Sequence, residues 1–312
     1  MKRLAPLALL ALALPASAQE AATPTSIIAA APAADWVAID PADLMVMDLA
    51  PDDDGPDRDG IARRVVIQLM PAPFSQGWVG NIRTLAAAHW WDGTSVYRVQ
   101  DNYVVQWGDV TEEKVLPEGL KAVPESEYVV PDEGTLPRPT AVRARDAYAV
   151  STGFAAGFPV AMFPPIMHVS GGNWWPVHCY GMVGVARDLE STGAGSDLYV
   201  VIGQAPRQLD RNIALVGRVI EGIEHLSSLP RGHGELGFYG DDEAARRVPI
   251  LSVRIGAEAP DLPRFEYLST ESGSFAAYAH SRANRQDDFY KVPAGGVDIC
   301  NVPVPIRRVE AK

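Results

Sequence analysis

Short apolar runs, several alternating with a period of two, recur along the chain and read as strands. "DLMVMDL" (43–49) and "RRVVIQLM" (63–70) flank "APDDDGPDRDG", an acidic connection with Gly and Pro that reads as a long hairpin turn. Ser95–Val99 and Tyr103–Trp107 follow, then "GMVGVAR" (181–187), "SDLYVVIG" (196–203), "IALVGRVI" (213–220) and "VPILSVRIG" (248–256). Two stretches carry a helical period instead. One lies within 74–93, with Trp78, Ile82, Leu85 and Ala86 on one face; the other is Glu221–Leu229, stopped by Pro230. So many strands with so few helices predict a mainly β domain over 35–256, an antiparallel barrel or sandwich rather than a parallel α/β sheet. Residues from about 110 to 170 are proline-rich and without clear period, an irregular insertion with a short helix expected near Asp146. Residues 19–34, rich in Ala, Pro and Thr, read as a flexible leader. Residues 257–312 form a C-terminal extension, with a helix expected around Ser274–Arg285.

Composition changes that picture little, except at the first residues. Of 312 residues, 47% are hydrophobic and 21% charged, enough apolar surface for a real core. "MKRLAPLALLALALPASA" has a basic start, an apolar run and small closing residues, the parts of a secretory signal. The run is too short to cross a bilayer core of about 30 Å. Residues 1–18 are therefore expected to be cleaved after about Ala18, placing the protein in a periplasm or outside the cell. Loss of Lys2 and Arg3 would take the net charge from −12 to −14. That balance disfavours nucleic acid and anionic membrane surfaces as partners, and no later segment looks able to span a membrane. Export also permits one disulfide between Cys179 and Cys300, the two cysteines of the chain.

Most candidate chemistry fails on spacing. The acidic turn after Leu49 lacks the closing glutamate of a calcium loop, since Arg63 stands there. His178-Cys179 has no second pair at metal spacing. "GAGSDL" has the glycines of a phosphate loop without its lysine, and no Gly-x-Ser-x-Gly elbow occurs. Neither a metal nor a cofactor is expected. Trp174-Trp175 reads as a packing anchor. One charge stands out. Arg98 sits in "SVYRV", just before the run Tyr103 to Trp107, either as a solvated residue on a sheet face or as a cation held for chemistry.

The ordered segments "VVIQLMPAP", "WVGNIRTLAAAHWWDGTSVYRV", "NYVVQWGD", "GMVGVARD", "GAGSDLYVVIG", "LDRNIALVGRVIEGIEHL" and "ILSVRIG" resemble the cyclophilin family of peptidyl-prolyl isomerases over about residues 62–256. The resemblance implies a closed barrel of eight antiparallel strands capped by two helices, acting on proline-containing polypeptides. It places the catalytic arginine at Arg98 and its glutamine partner at Gln106. Tyr103, Val104, Tyr199, Leu209 and Ile213 fall on positions that line the proline pocket, and Ala186 beside the substrate backbone. Asp197 replaces a glutamine of the same groove, where its carboxylate would compete for the donors of Arg98. Tyr97, Arg187, Gln208 and Ile213 also depart from the family pattern. The chemistry suits an arginine, because a guanidinium aimed at a twisted prolyl amide needs no nucleophile or proton shuttle. The alternative is a non-catalytic module of the same fold that binds unfolded or partner chains.

Overall fold

The computed structural model describes residues 22–51, 63–132, 140–141, 146–163, 172–259 and 261–309. The signal-like segment and the acidic turn at 52–62 lie outside the described residues. In chain order the elements begin with helix α1 (Pro24–Ala30), strands β1 (Trp36–Ala38), β2 (Leu44–Leu49) and β3 (Arg63–Leu69), and helix α2 (Gln76–Ala87). Strands β4 (Ser95–Val99) and β5 (Val104–Gly108) follow. The inserted segment then carries β6 (Val130–Pro131), β7 (Thr140–Ala141), β8 (Ser151–Ala155), β9 (Phe158–Phe163) and β10 (Asn173–Pro176). Beyond it come β11 (Met182–Val185), β12 (Leu198–Val201), β13 (Leu215–Glu221), the short helix α3 (Glu224–Ser227) and β14 (Val248–Ile255). The extension holds β15 (Arg264–Leu268), α4 (Gly273–Ala283) and β16 (Ile306–Val309).

Eight strands close into a barrel in the order β11-β12-β5-β4-β14-β2-β3-β13, every neighbouring pair antiparallel. Closure leaves the barrel no free edge. All eight are the strands that the apolar runs predict. Alternate residues point inward: Val105 and Trp107 of β5, Met45 and Met47 of β2, and Val65, Ile67 and Leu69 of β3 are buried in one core. Helix α2 closes it with Trp78, Val79, Ile82, Leu85 and Ala86. Among the described residues no helix is long and apolar enough to cross a membrane.

Three expectations from the sequence need correction. The 110–170 segment is not irregular throughout, because β6-β10-β9-β8-β7 form a five-stranded sheet completed by Trp174-Trp175 of β10. Asp146 lies outside any helix, in the bends that precede β8. The flexible leader contains α1, capped by the Thr23 side chain, and Ile27, Ile28 and Ala31 pack on the core while the Ser281 hydroxyl of α4 donates to the Ala22 carbonyl. The extension also supplies structure that the barrel lacks: β15 pairs with both β1 and β16, so the two ends of the chain share a three-stranded sheet. Cys179 and Cys300 are disulfide-bonded, fastening the extension beside the barrel.

Candidate functional site

The groove starts from a fault in the pairing of β4 and β5. Val96 faces Trp107 and Arg98 faces Gln106, so Tyr97 is an extra residue, a β-bulge. In a regular strand Tyr97 and Arg98 would point to opposite faces. The bulge lets both reach the Gln106 side chain instead. Arg98 Nη1 donates to Gln106 Oε1 at 2.9 Å, and Gln106 Nε2 donates to the Tyr97 hydroxyl at 2.6 Å. Arg98 also donates from Nε to the Leu236 carbonyl at 2.8 Å and from Nη2 to Gln100 Oε1 at 2.5 Å. The Phe238 ring lies 5.0 Å from the guanidinium carbon and stacks on Tyr97 at 5.9 Å. The cation is thus held in its plane by three acceptors and on one face by a ring. Burial pulls the Arg98 pKa down from its ordinary value, although the neighbouring phenols oppose this, and an arginine stays protonated at neutral pH.

Beside Arg98 is an apolar wall. Val104, Tyr199 and Val201 are buried together, with Tyr103, Ala186 and Ile213 packed against them half-exposed. The Tyr103 ring lies 5.9 Å from the Arg98 guanidinium, which joins the wall to the cation. Pairing of β12 with β5 sets Tyr199 opposite Gln106 and Val201 opposite Val104. Gly184 of β11 lies opposite Tyr199, and a Cβ there would clash with the phenol ring. Leu209 does not join this cluster. It acts through its carbonyl, which accepts from the Asn212 and Ile213 amides at 2.9 and 3.2 Å and so sets Ile213 in place. Gln208 is exposed.

Tyr199 is also tied from behind. Its hydroxyl is 2.8 Å from His178 Nε2, and His178 Nδ1 is 2.9 Å from Asp210 Oδ1. Asp210 Oδ2 accepts from Arg207 Nε at 2.6 Å, and Arg207 forks onto Asp146 at 2.7 and 3.1 Å. The Asp210 carboxylate can only accept, so Nδ1–H donates to it, and Nε2 is left to pair with the Tyr199 hydroxyl. Burial, together with the nearby phenol of Tyr103 and the Asp210 carboxylate, pushes the Tyr199 pKa well up, so it stays a phenol. Both ring nitrogens of His178 are thus engaged in supporting the pocket wall. Among the described residues no cluster of His, Cys, Asp or Glu could hold an ion.

Asp197 does not compete for Arg98. Its carboxylate accepts from the Tyr97 hydroxyl at 2.8 Å and the Ser196 hydroxyl at 3.0 Å. Gly108 makes room for it, since a Cβ there would clash with the carboxylate. The bulged tyrosine reaches Asp197 first, and this corrects the reading of an Asp197–Arg98 pair. Burial raises the Asp197 pKa despite these hydrogen bonds, with Asp109 and Glu112 adding to the rise. Helix α2 positions the loop before it: Trp78 Nε1 donates to the Gly193 carbonyl at 2.9 Å and Asn81 Nδ2 to the Ala194 carbonyl at 3.1 Å. The result is a cleft of about 680 Å³ beside Gln106, lined by Asp109, Glu112, Asp188, Asp197 and one cation, Arg187.

A family model described as cyclophilin type peptidyl-prolyl cis-trans isomerase/CLD matches residues 63–255. Among curated proteins none matches the chain. Among solved structures, cyclophilin AquaCyp293 from Hirschia baltica is similar in fold, with a TM-score of 0.67 and 21% identity, covering 92% of this chain and 98% of that one. That coverage extends well past the barrel. A cyclophilin type peptidyl-prolyl cis-trans isomerase of Cryptosporidium parvum, in the presence of the dipeptide ala-pro, matches at 13% identity over 68% of this chain and 98% of its own, with a TM-score of 0.37.

Proposed function

The chain belongs to the cyclophilin-type peptidyl-prolyl cis-trans isomerase family and is an isomerase of that type, and from this we propose that it acts at the Arg98 groove on proline-containing segments of exported polypeptides, assisting their folding. The observation that carries the site is the join between a fixed cation and an apolar wall, Arg98 against Tyr103. An X-Pro bond isomerises over tens to hundreds of seconds unaided because amide resonance must be broken. The wall of Tyr103, Val104, Tyr199 and Ile213 takes the proline ring. Gln106, Gln100 and the Leu236 carbonyl occupy three of the five guanidinium N–H groups, so two remain for the substrate. Donated toward the prolyl amide, they favour the twisted state in which the nitrogen lone pair has left resonance. Because Arg98 is already oriented, little reorganisation accompanies the reaction.

The acidic cleft beside Gln106 favours substrates with Lys or Arg near the proline, an attraction that salt screens. Export rests on the signal-like first residues and on the disulfide, which suits an oxidising compartment. A protease-coupled assay on three prolyl peptides, differing only in charge beside the proline, tests the reading. The expected order of kcat/KM is basic, then neutral, then acidic, with the differences shrinking at high salt. A folded chain that binds such peptides without accelerating their isomerisation would instead be a binding module.

A further inference from the structure

The appended sheets meet the barrel at Arg218, in the middle of β13. The residue is only 8% exposed. Its Nε and Nη2 both donate to Gln68 Oε1, at 2.9 and 2.7 Å. Its guanidinium lies 4.7 Å from the Phe158 ring of the insertion and 5.8 Å from the Tyr267 ring of the extension. Among the described residues it has no carboxylate partner, and Nη1 donates no hydrogen bond. Arg207 shows the contrast, equally buried yet paired with both Asp146 and Asp210. A buried cation without a counter-ion is costly. Burial pulls Arg218 down to about 9, which still leaves it charged at neutral pH.

Arg218 also lines a cavity of about 300 Å³. The remaining wall is mainly apolar, with Met182 and Ile220 from the barrel, Phe154 from the insertion, and Val304 and Ile306 from the extension; no acidic side chain lines it. None of its lining residues belongs to the prolyl groove. We propose that this cavity is a second binding site, for a small apolar monocarboxylate whose carboxylate pairs with Arg218 while its hydrocarbon body fills the space between barrel, insertion and extension. The volume stands at the low end of small-molecule pockets, roughly 300 Å³ upward, which fits a compact molecule rather than a polypeptide segment. The two rings and Gln68 hold the guanidinium in advance of binding. A carboxylate then completes a charge-assisted pair in a low-dielectric setting.

Isothermal titration of the full chain with sodium octanoate, octanol and octylamine tests this. Octanoate should bind once per chain, at least about tenfold tighter than octanol, equivalent to about 1.4 kcal/mol, and octylamine should not bind measurably. Arg218→Met should erase the preference for octanoate over octanol. Val304→Trp, which fills the cavity and keeps the arginine, should abolish octanoate binding while leaving the prolyl isomerase rate unchanged. Equal affinity for octanoate and octanol in the wild type would overturn the proposal. So would the absence of binding at millimolar octanoate, or undiminished binding in Val304→Trp.

Discussion

Gln106 divides its amide between two neighbours, its carbonyl to Arg98 and its NH₂ to the Tyr97 hydroxyl, which in turn donates to Asp197. The orientation of Arg98 thus depends on a residue two hydrogen bonds away. Tyr97→Phe keeps the ring stacked on Phe238 but removes the hydroxyl, and kcat/KM should fall about threefold to tenfold for the loss of roughly 1 kcal/mol of positioning. Asp197→Asn leaves Tyr97 an acceptor and removes a carboxylate that burial disfavours. Because the folded-state pKa of Asp197 is raised, ionisation costs the native state stability as pH climbs through that value. Asp197→Asn should therefore be the more stable protein at neutral pH, by about 1 kcal/mol, and the gain should vanish in acid where Asp197 is protonated. Melting temperatures of both proteins from acid to neutral pH check this; an equal gain at every pH would contradict it. The position of Arg98 and Gln106 was legible in a strand pattern and a resemblance. Tyr97 as bulge, Gln100, Phe238 and the Leu236 carbonyl were not. A bulge leaves no mark in apolar periodicity, and the 231–247 segment that brings Phe238 has no period to read.

At the scale of elements, the pocket wall is held by a segment far from it in sequence. Asp146 precedes β8 of the insertion, yet it grips Arg207, whose neighbour Leu209 sets Ile213, and the same arginine holds Asp210 beneath His178 and Tyr199. Burial works against the charge on Asp146, but the hydrogen bonds and charge of Arg207, together with the Tyr148 and Ala149 amides, outweigh it and hold the carboxyl below its usual range. A lowered carboxylate pKa contributes stability above the ordinary range that is lost as pH falls through the folded value. Asp146→Asn should accordingly lower stability by about 2–3 kcal/mol at neutral pH, with the difference closing in acid. It should also raise KM for prolyl peptides more than it lowers kcat, because the wall and not the cation is disturbed. The insertion escaped a sequence reading for a specific reason. Its β8–β9 hairpin turns through Ala156 and Gly157, both at positive φ, 49° and 84°. Such a turn is signalled by Asn-Gly or Asp-Gly, and alanine there gives no signal. The barrel strands, with inward faces rich in Val, Ile, Leu and Met, announced themselves.

On the scale of the molecule, the joins between barrel, insertion sheet and terminal sheet include the Arg207 network, Arg218 between two rings, and the Cys179–Cys300 bridge with its sequence separation of 121 residues. Closing so long a loop stabilises by about 4–5 kcal/mol in the chain-entropy model. Reduction should lower the melting temperature markedly, and Cys300→Ser should match the reduced protein. Mass spectrometry of unreduced protein from an oxidising compartment should find no free thiol. The central claim concerns neither appended sheet. It is that a pre-oriented Arg98 stabilises the twisted prolyl amide. The direct measurement is the protease-coupled isomerase assay on Arg98→Ala, with circular dichroism as the check on folding. The account predicts a drop in kcat/KM of at least about tenfold, or about 1.4 kcal/mol, with an unchanged spectrum, and little rescue by Arg98→Lys, which lacks the planar fork of donors. Wild-type turnover from a folded Arg98→Ala protein would contradict it.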